Sequence, residues 1–459
     1  MRSIREDSIV SITKFILCAT VAVAWVGVAC AQITPEEIKE LGGKLTEFGA
    51  EKAGNADGSI PAYTGGIKTI PADFKPGSGR YPDPFKDEKP LFSVDAKNMA
   101  QYAQWLTPAS KALLERFPTY RMDVYPTHRT MGYPDWVLKN TLKNASTAKP
   151  IAGGDGVEGA FGGIPFPIPK DGYQVLWNNY LRYQGPRSDM HFNSVMVDRT
   201  GRKTTINEQN ADFIFPYYDQ KVGKLTDTTY MIIMSHVMGP PAQAGQMVLQ
   251  KFSVDFGKRD DAIWMYTPGQ RRVRIAPEAK YDTPAATVGG TMFYEEINSY
   301  NGRMDRFDYK LVGKKELFIP YNNYKAYYSP TINGDKHENP DDVRWEKHRV
   351  WVVEGTLRPG KRHAYSKRTF YIDEDAWNIV QSEAYDQSGK MYRVLNALSF
   401  VSYDKPRIIP TSGLYYDLDK GSYTNMATYG NPNTTVRVYD EAPDPSRFTA
   451  ETMSAEGVR

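Results

Sequence analysis

The chain has 459 residues, of which 41% are hydrophobic and 24% charged, and its formal net charge is +3. This composition is typical of a folded globular protein and excludes a disordered chain. A charge so close to neutral gives no reason to expect nucleic acid as a partner.

The N-terminal segment has the pattern of an export signal. An apolar run at 15–29 follows Lys14, and small residues close the run. We therefore predict a signal peptide over residues 1–31, cleaved at its end, which places the mature protein in the periplasm. Lipid anchoring at Cys30 is the disfavoured alternative, because the residues before it are a poor lead-in for that processing. Cys18 also lies in the removed segment, so the mature chain has no thiol for a disulfide, thiol catalysis or a Cys-ligated metal.

The region after the signal is predicted to hold few regular elements and then a pair of helices. Residues 32–92 are dense in Gly, Pro, Asn and Asp, which break regular structure, so we expect a loop-rich extension with a short helix at 35–41. Two amphipathic helices are predicted between residues 93 and 117, capped by Ser93 and Thr107. These helices need an apolar surface to lie on, and a curved sheet would serve.

The rest of the chain reads mainly as β-structure. Residues 118–170 are loop-rich, and strand patterns dominate from Tyr173 onward. Asn301-Gly302, between strand-like flanks, is the strongest short hairpin signal. The tail at 405–459 is polar with Pro and Gly, and we expect it to wrap around the core rather than build it.

The stretch at 367–403 predicts three consecutive antiparallel strands separated by polar turns. Because side chains alternate along a strand, Tyr392 and Val394 should share one face of the last strand, and Met391 and Leu395 the other. Neither face is cleanly polar. The sheet is therefore expected to be covered on both sides, or to line an apolar hollow with one face.

A search for catalytic motifs argues against an enzyme. Residues 154–159 fit the dinucleotide pattern G-x-G-x-x-G but lack the strand before it and the helix after it. The histidines form no H-E-x-x-H pattern, and no G-x-S-x-G elbow occurs. The acidic run Asp373-Glu374-Asp375 lacks the calcium-loop pattern and is interpreted as a simple turn former. We expect no cofactor and no metal.

Two polar groups are open to two interpretations. His128 lies in a polar and aromatic loop, which is either a functional cluster or a loop pinned to the sheet by its hydrogen bonds; we favour the second. Arg271, Arg272 and Arg274 follow a Pro-Gly turn. They could meet an anionic head group or partner, although a solvated hairpin end is the simpler account.

Apolar strand residues remain as candidates for a ligand-binding wall. A concave sheet closed by helices encloses a hollow, and hollows lined by apolar side chains bind apolar ligands. The alternative is a fully packed core, and the pattern leaves both open. The candidate wall consists of Trp264, Tyr266, Phe293, Phe370, Ile372, Trp377 and Ile379.

Several segments together resemble a known family. They include AEKAGNADGSIPAYTGG, FPTYRMDVYPTHR, PFPIPKDGYQVLWNNYLRY, YTPGQRRVRIAP and FYIDEDAWNIVQSEAYDQSGKMYRV, in that order. The chain is identified as a member of a bacterial envelope family catalogued as domain of unknown function 1329, which is similar to outer-membrane lipoprotein-sorting proteins (LolA/LolB-like). The resemblance implies a mainly β fold over 93–404: a strongly curved antiparallel sheet, an unclosed half-barrel whose mouth is plugged by the helices at 93–117.

The resemblance also implies a setting for the protein. Members are often encoded near efflux-type transporters and an outer-membrane protein, and no catalytic residues are established for the family. We therefore expect a periplasmic carrier or chaperone that binds a lipid or other hydrophobic ligand in an apolar hollow. The alternative is an interaction subunit that docks on the transporter or outer-membrane partner and carries nothing.

Overall fold

The computed structural model describes residues 33–428 and 434–457. The predicted signal peptide at 1–31, with both cysteines, lies outside the described residues. None of the described helices is long and apolar enough to cross a membrane.

Most of the regular secondary structure in the described chain is β-strand. In chain order they are β1 Phe92–Val94, β2 Met122–Val124, β3 Lys149–Ile151, β4 Gly156–Glu158, β5 Arg187–Val197, β6 Lys203–Ile214, β7 Thr229–Gly239, β8 Met247–Ser253, β9 Ala262–Thr267, β10 Arg272–Ile275, β11 Phe307–Pro320, β12 Trp345–Leu357, β13 Lys367–Asp373, β14 Ile379–Tyr385, β15 Met391–Ser402, β16 Arg407–Asp417, β17 Ser422–Thr428 and β18 Thr435–Tyr439. The α-helices of the described residues are α1 Pro35–Ile38, α2 Pro108–Arg116, α3 Asp135–Thr147, α4 Gly172–Tyr180, α5 Tyr324–Tyr328 and α6 Ala450–Gly457.

Sixteen of the strands form one sheet in the order β1-β2-β12-β13-β14-β15-β16-β17-β5-β6-β7-β8-β9-β10, with β11 beside β12 and β18 beside β5. The ladders are antiparallel apart from a single parallel contact between β2 and β12. Within the described residues the end strands β1 and β10 do not pair with each other, so the sheet stays open.

The sheet is strongly curved. Side chains from seven consecutive strands, β15 to β8 in the order above, surround one cleft of about 110 Å³. A flat sheet with a strand spacing of about 4.8 Å would spread seven strands over about 29 Å, which is too wide to border so small a space. The predicted fold class, a mainly β chain with a curved and unclosed antiparallel sheet, is confirmed.

The predicted three-strand meander is present as β13, β14 and β15. The predicted hairpin at Asn301-Gly302 is wrong, because residues 291–306 form no strand and β11 pairs with β12 instead. The wrapping tail is also corrected: from 405 onward the chain supplies β16, β17 and β18 to the sheet. The alternation of apolar and polar residues that marks a strand is weak in this region, because both strand faces carry tyrosine, serine and threonine.

The helix predictions are correct in part. Thr107 caps α2 by accepting a hydrogen bond from the Ser110 amide at 2.9 Å. The preceding helix is a 3-10 helix at Met99–Trp105, and Ser93 lies in β1 instead of capping it. The short N-terminal helix is present as α1. Four of the described helices, α3 to α6, were not predicted, and α3 and α4 are the longest of them.

Helices α3 and α4 both lack a clear apolar stripe at helical spacing. The buried side of α3 includes Thr141 and Asn144, which weaken its apolar period. In α4 almost every residue is buried, including Leu176, Trp177 and Tyr180. Periodicity cannot separate such a short, fully buried segment from a buried strand.

Helices α2 and α4 lie on opposite faces of the sheet. We call the face that carries Leu395 and Tyr415 the inner face, and the face that carries Val394 and Tyr416 the outer face. Helix α4 belongs to the buried cluster of the inner face. Helix α2 belongs to that of the outer face, where the amide of Ala109 donates to Glu383 at 2.8 Å. The helices at 93–117 therefore do not plug the concave mouth, which corrects the prediction.

Candidate functional site

The predicted wall residues do not form one surface. Phe370, Ile372, Trp377 and Ile379 belong to the buried cluster of the inner face, and Phe293 packs against it. The other two predicted residues do not join them. Trp264 and Tyr266 belong to a separate cluster, together with Met453 of helix α6. The sequence could not place β9 relative to β13, because alternation along one strand says nothing about the next.

Trp377 is also in a different local setting from the one predicted. It lies in the turn before β14, with a φ of +57°, rather than on the strand. Its indole Nε1 donates to the carbonyl of Phe48 at 3.0 Å, and its ring stacks on Trp351 at 6.0 Å. Trp377 therefore connects the N-terminal extension to the sheet and does not line a ligand-binding hollow.

The inner face beside Phe370 is filled by other side chains. The ring of Tyr300 stacks on Phe370 with centroids 4.9 Å apart. The guanidinium of Arg368 lies 4.5 Å from the Tyr300 ring and 4.9 Å from the Phe370 ring. At these strands the packed-core interpretation is therefore the correct one.

The filling comes from the connection between β10 and β11, residues 276–306, which we call the plug segment. Its Glu295 accepts a hydrogen bond from Arg368 at 2.5 Å and lies 3.1 Å from the ring nitrogen Nε2 of His363. Burial raises the pKa of Glu295, but the charges of Arg368 and His363 outweigh it and lower that pKa to about 2. The neighbouring Glu296 accepts a hydrogen bond from the Tyr365 hydroxyl. These buried polar contacts hold the plug segment against the sheet.

An apolar cleft remains open next to the plug segment. It has a volume of about 110 Å³ and lies between the inner face and the plug residues 297–299. None of the seven predicted wall residues lines it. Among the described residues its lining contains no Asp, Glu, Lys, Arg or His. The lining residues are Met190, Phe192, Gln209, Phe213, Ile233, Ser235, Val248, Gln250, Ile297, Asn298, Ser299, Ala397, Leu398, Pro410, Gly413, Tyr415, Met426 and Ala427.

Sequence reasoning missed these residues for a specific reason. Each of the seven strands contributes only two or three of them, and several are small or polar. A search for large aromatic side chains passes over Ala397, Gly413 and Ser235. The usable signal would have been the nearly continuous apolar runs of β7 and β8, MIIMSHV and MVLQKF, which are typical of strands buried on both faces.

A second cavity, of about 750 Å³, is polar and lies against the loop at 330–340. Its lining includes Arg121, Lys203, His337 and Glu338. Arg121 is paired with Asp123 at 2.9 Å. Such a groove does not suit an apolar ligand, because it would have to desolvate these charged groups.

Glu338 in this groove should make the stability of the protein depend on pH. Burial raises the pKa of its carboxyl to about 7, and its Oε2 atom has no hydrogen-bond partner in the described part of the chain. In the unfolded chain the pKa is about 4.3. The contribution of Glu338 to the free energy of unfolding should therefore fall as the pH rises from about 4.3 to 7, by on the order of 3 kcal/mol, and level off above that.

The Glu338→Gln variant lacks this titration. Its stability relative to the wild type should rise by roughly the same 3 kcal/mol between pH 4.5 and pH 8. Urea unfolding of both proteins at the two pH values measures this difference. A stability difference that is independent of pH would contradict the prediction.

The structure places the two polar groups that the sequence left open to two interpretations, His128 and the three arginines. The imidazole of His128 lies 2.7 Å from Glu88, and its amide donates to Glu346 at 2.7 Å, which supports the interpretation of a pinned loop. Arg272 and Arg274 are exposed on the end strand β10. Together with Arg271 they form no ion pair within the described residues, which agrees equally with a solvated hairpin end and with a site for an anionic group.

The acidic turn differs from its interpretation as a simple turn former. Asp373, Glu374 and Asp375 are almost completely buried. Arg129 donates to Asp375 at 2.6 and 2.8 Å and to the carbonyl of Glu51 at 2.8 Å. The turn therefore anchors the N-terminal extension. No group of three or more potential metal ligands occurs among the described residues.

Comparison with known proteins gives a family and several similar structures. A family model described as "Protein of unknown function (DUF1329)" matches residues 93–454. An uncharacterized protein of Pseudomonas aeruginosa, PA3922, is 38% identical over 438 residues, which cover 94% of this chain and 95% of that protein.

The similar solved structures are more distant in sequence. A domain described as that of an outer-membrane lipoprotein-sorting protein from Vibrio parahaemolyticus is 13% identical with a TM-score of 0.42, covering 61% of this chain and 97% of that one. A DUF1329 family protein from Desulfovibrio piger has 16% identity, the same TM-score and the same coverages. The LolA superfamily protein NE2245 from Nitrosomonas europaea has 12% identity and a TM-score of 0.36, over 61% of this chain and 98% of that one. At TM-scores this low, the fold assignment rests on the strand pairing described above.

Proposed function

Because the chain belongs to the DUF1329 family of proteins of unknown function, we propose a function from its own geometry: a periplasmic carrier or chaperone that binds a lipid or other hydrophobic ligand, in an envelope transport system. The observation that carries the proposal is the apolar cleft of the inner face, whose lining bears no charged side chain among the described residues.

Burying apolar surface contributes about 25 cal/mol per Å², so a ligand that buries a few hundred Å² is held usefully after the costs of association. The cleft of about 110 Å³ is smaller than usual ligand pockets of about 300–1,000 Å³, so it must widen to bury a ligand to that extent. The ligand-facing strands belong to a sheet that is packed on both faces, which keeps the walls in place.

Entry and release need a part that moves. The helices at 93–117 cannot serve, because α2 lies on the outer face. The plug segment covers the cleft with Ile297, Asn298 and Ser299. Asn298 and Ser299 have positive φ values of 58° and 73°, a conformation that costs free energy for residues other than glycine. We therefore propose that the plug segment opens the cleft.

The proposal predicts that an apolar fluorescent probe, 1-N-phenylnaphthylamine, binds the purified protein. Filling the cleft with Ser235→Trp should lower the affinity for the probe by at least about ten-fold, because the bulky ring occupies the ligand's volume. Thr204→Trp, at an exposed position on β6, is the matched control and should leave binding unchanged. Probe titration followed by fluorescence measures all three proteins, and circular dichroism verifies their folding.

Native mass spectrometry of protein purified from a periplasm gives an independent measurement. A hydrophobic species bound at near-unit stoichiometry is the expected result. A wild-type protein that holds no such species and binds no probe would overturn the carrier. The docking subunit would then be the better hypothesis, and capture of its partner the next experiment.

A further inference from the structure

The floor of the cleft contains three polar side chains. Gln209, Ser235 and Gln250 are 9%, 7% and 7% exposed. Their side chains make no hydrogen bond with any residue in the described ranges. Their polar atoms are not among the fully buried atoms without a partner, so they remain accessible from the cleft, on a wall whose other large side chains are apolar.

The strand register arranges these three residues in one line. Ser235 of β7 pairs with Ala211 and Val248, so Gln209 of β6 and Gln250 of β8 are both its diagonal neighbours. Diagonal neighbours on one face lie about 7–8 Å apart between their Cα atoms. Gln209, Ser235 and Gln250 therefore form a polar stripe that crosses three adjacent strands of the cleft floor.

A ligand that fills the cleft cuts these polar groups off from water. A purely apolar ligand would then leave them without a hydrogen bond, which costs free energy, whereas a ligand that bonds to them avoids that cost. An amide donates and accepts, and so does a hydroxyl, so the stripe can bond to either a carbonyl or a hydroxyl. The lining provides no charged side chain among the described residues to compensate an ionised ligand group. Burying an uncompensated charge is strongly unfavourable.

We propose that the cleft takes a neutral amphiphile: an aliphatic chain that carries an uncharged ester or hydroxyl group, which bonds to the stripe formed by Gln209, Ser235 and Gln250. This inference rests on the proposed function, since it specifies the ligand of the same cleft. The apolar side chains hold the aliphatic part, and the stripe fixes its position along the cleft.

Four ligands of equal chain length test the inference: decane, decan-1-ol, methyl decanoate and decanoate. Each is used to displace 1-N-phenylnaphthylamine from the full chain at pH 8. The alcohol and the ester should bind about ten-fold more tightly than decane, as expected for a buried hydrogen bond that decane cannot make. Decanoate should bind more weakly than the ester, because its carboxylate would be buried without a counter-charge.

The Gln250→Leu variant should remove most of the preference for ester and alcohol over decane, because the amide that bonds to them is gone and the wall becomes more apolar. Gln270→Leu, at an exposed position in the hairpin tip, is the matched control and should keep the wild-type preference. Thermal unfolding separates binding from folding: Gln250→Leu should not lower the melting temperature, because the amide that it removes makes no hydrogen bond with the described residues.

The outcomes separate the two proposals. If none of the four ligands displaces the probe, and the probe itself does not bind, the carrier function fails. If the four ligands bind equally well, the carrier stands and the neutral-amphiphile inference is overturned, with water satisfying the stripe instead. Tighter binding of decanoate than of the ester would also overturn the inference.

Discussion

Replacing Arg368 by methionine is expected to lower the free energy of unfolding by about 3–5 kcal/mol, the usual cost of removing one partner from a buried ion pair. Arg368 is 3% exposed, and its partner Glu295 is 4% exposed. The guanidinium also lies over the rings of Tyr300 and Phe370. Without it, Glu295 keeps only the imidazole of His363 as a compensating group.

A matched control and a double variant test the cause of this loss. Arg274→Met, at an exposed position without an ion pair among the described residues, should change stability by less than about 0.5 kcal/mol. Combining Arg368→Met with Glu295→Gln should recover part of the loss, because the uncompensated charge is then gone. Urea unfolding measures the series. A loss below about 1 kcal/mol for Arg368→Met would show that the pair does not hold the plug segment.

The second large effect is expected from Trp177→Ala in helix α4, with a loss of about 3–5 kcal/mol. Trp177 is fully buried, and its indole Nε1 donates to the carbonyl of Gly154 at 2.8 Å. Its ring contacts Tyr180 with centroids 5.2 Å apart. The substitution leaves a cavity in the inner cluster and removes the partner of a buried carbonyl.

Trp264→Ala is the matched control, since it removes the same side chain from a half-buried position on β9. Its cost should be smaller by at least about 1 kcal/mol, because less apolar surface is lost and solvent can enter the site. Equal losses for the two variants in urea unfolding would contradict the placement of α4 as a central element of the inner core.

The strand pattern of the meander illustrates what could be predicted locally and what could not. Its three strands and their turns follow from alternation and turn residues. The faces do not, because a β-bulge lies between Ala384 and Tyr385 and shifts the register against β15. Tyr392 therefore packs against the inner cluster and Met391 against the outer one, the reverse of the prediction. One extra residue in a ladder exchanges the faces of the residues beyond it.

The sequence predicted an apolar hollow but assigned the wrong residues to its wall. An apolar hollow on a concave sheet was expected, yet the large aromatic residues chosen for it pack against the plug segment or on the other face. The plug segment reads in sequence as hairpin and loop. Its partners Arg368 and Tyr365 are about 70 residues away along the chain, so no local pattern reveals them.

By itself, the sequence determined the family, the dominance of β-strands, the cap of α2 and the expectation of an apolar binding surface. These features depend on local alternation, turn residues and matching segments, which are present in the chain before it folds. Only the tertiary structure decided that α2 covers the outer face, that residues 276–306 cover the inner one, and that the cleft lies between β15 and β8. Those outcomes depend on register, on bulges and on ion pairs between distant segments, and the free energies of such contacts exist only once the sheet has curved and brought the segments together.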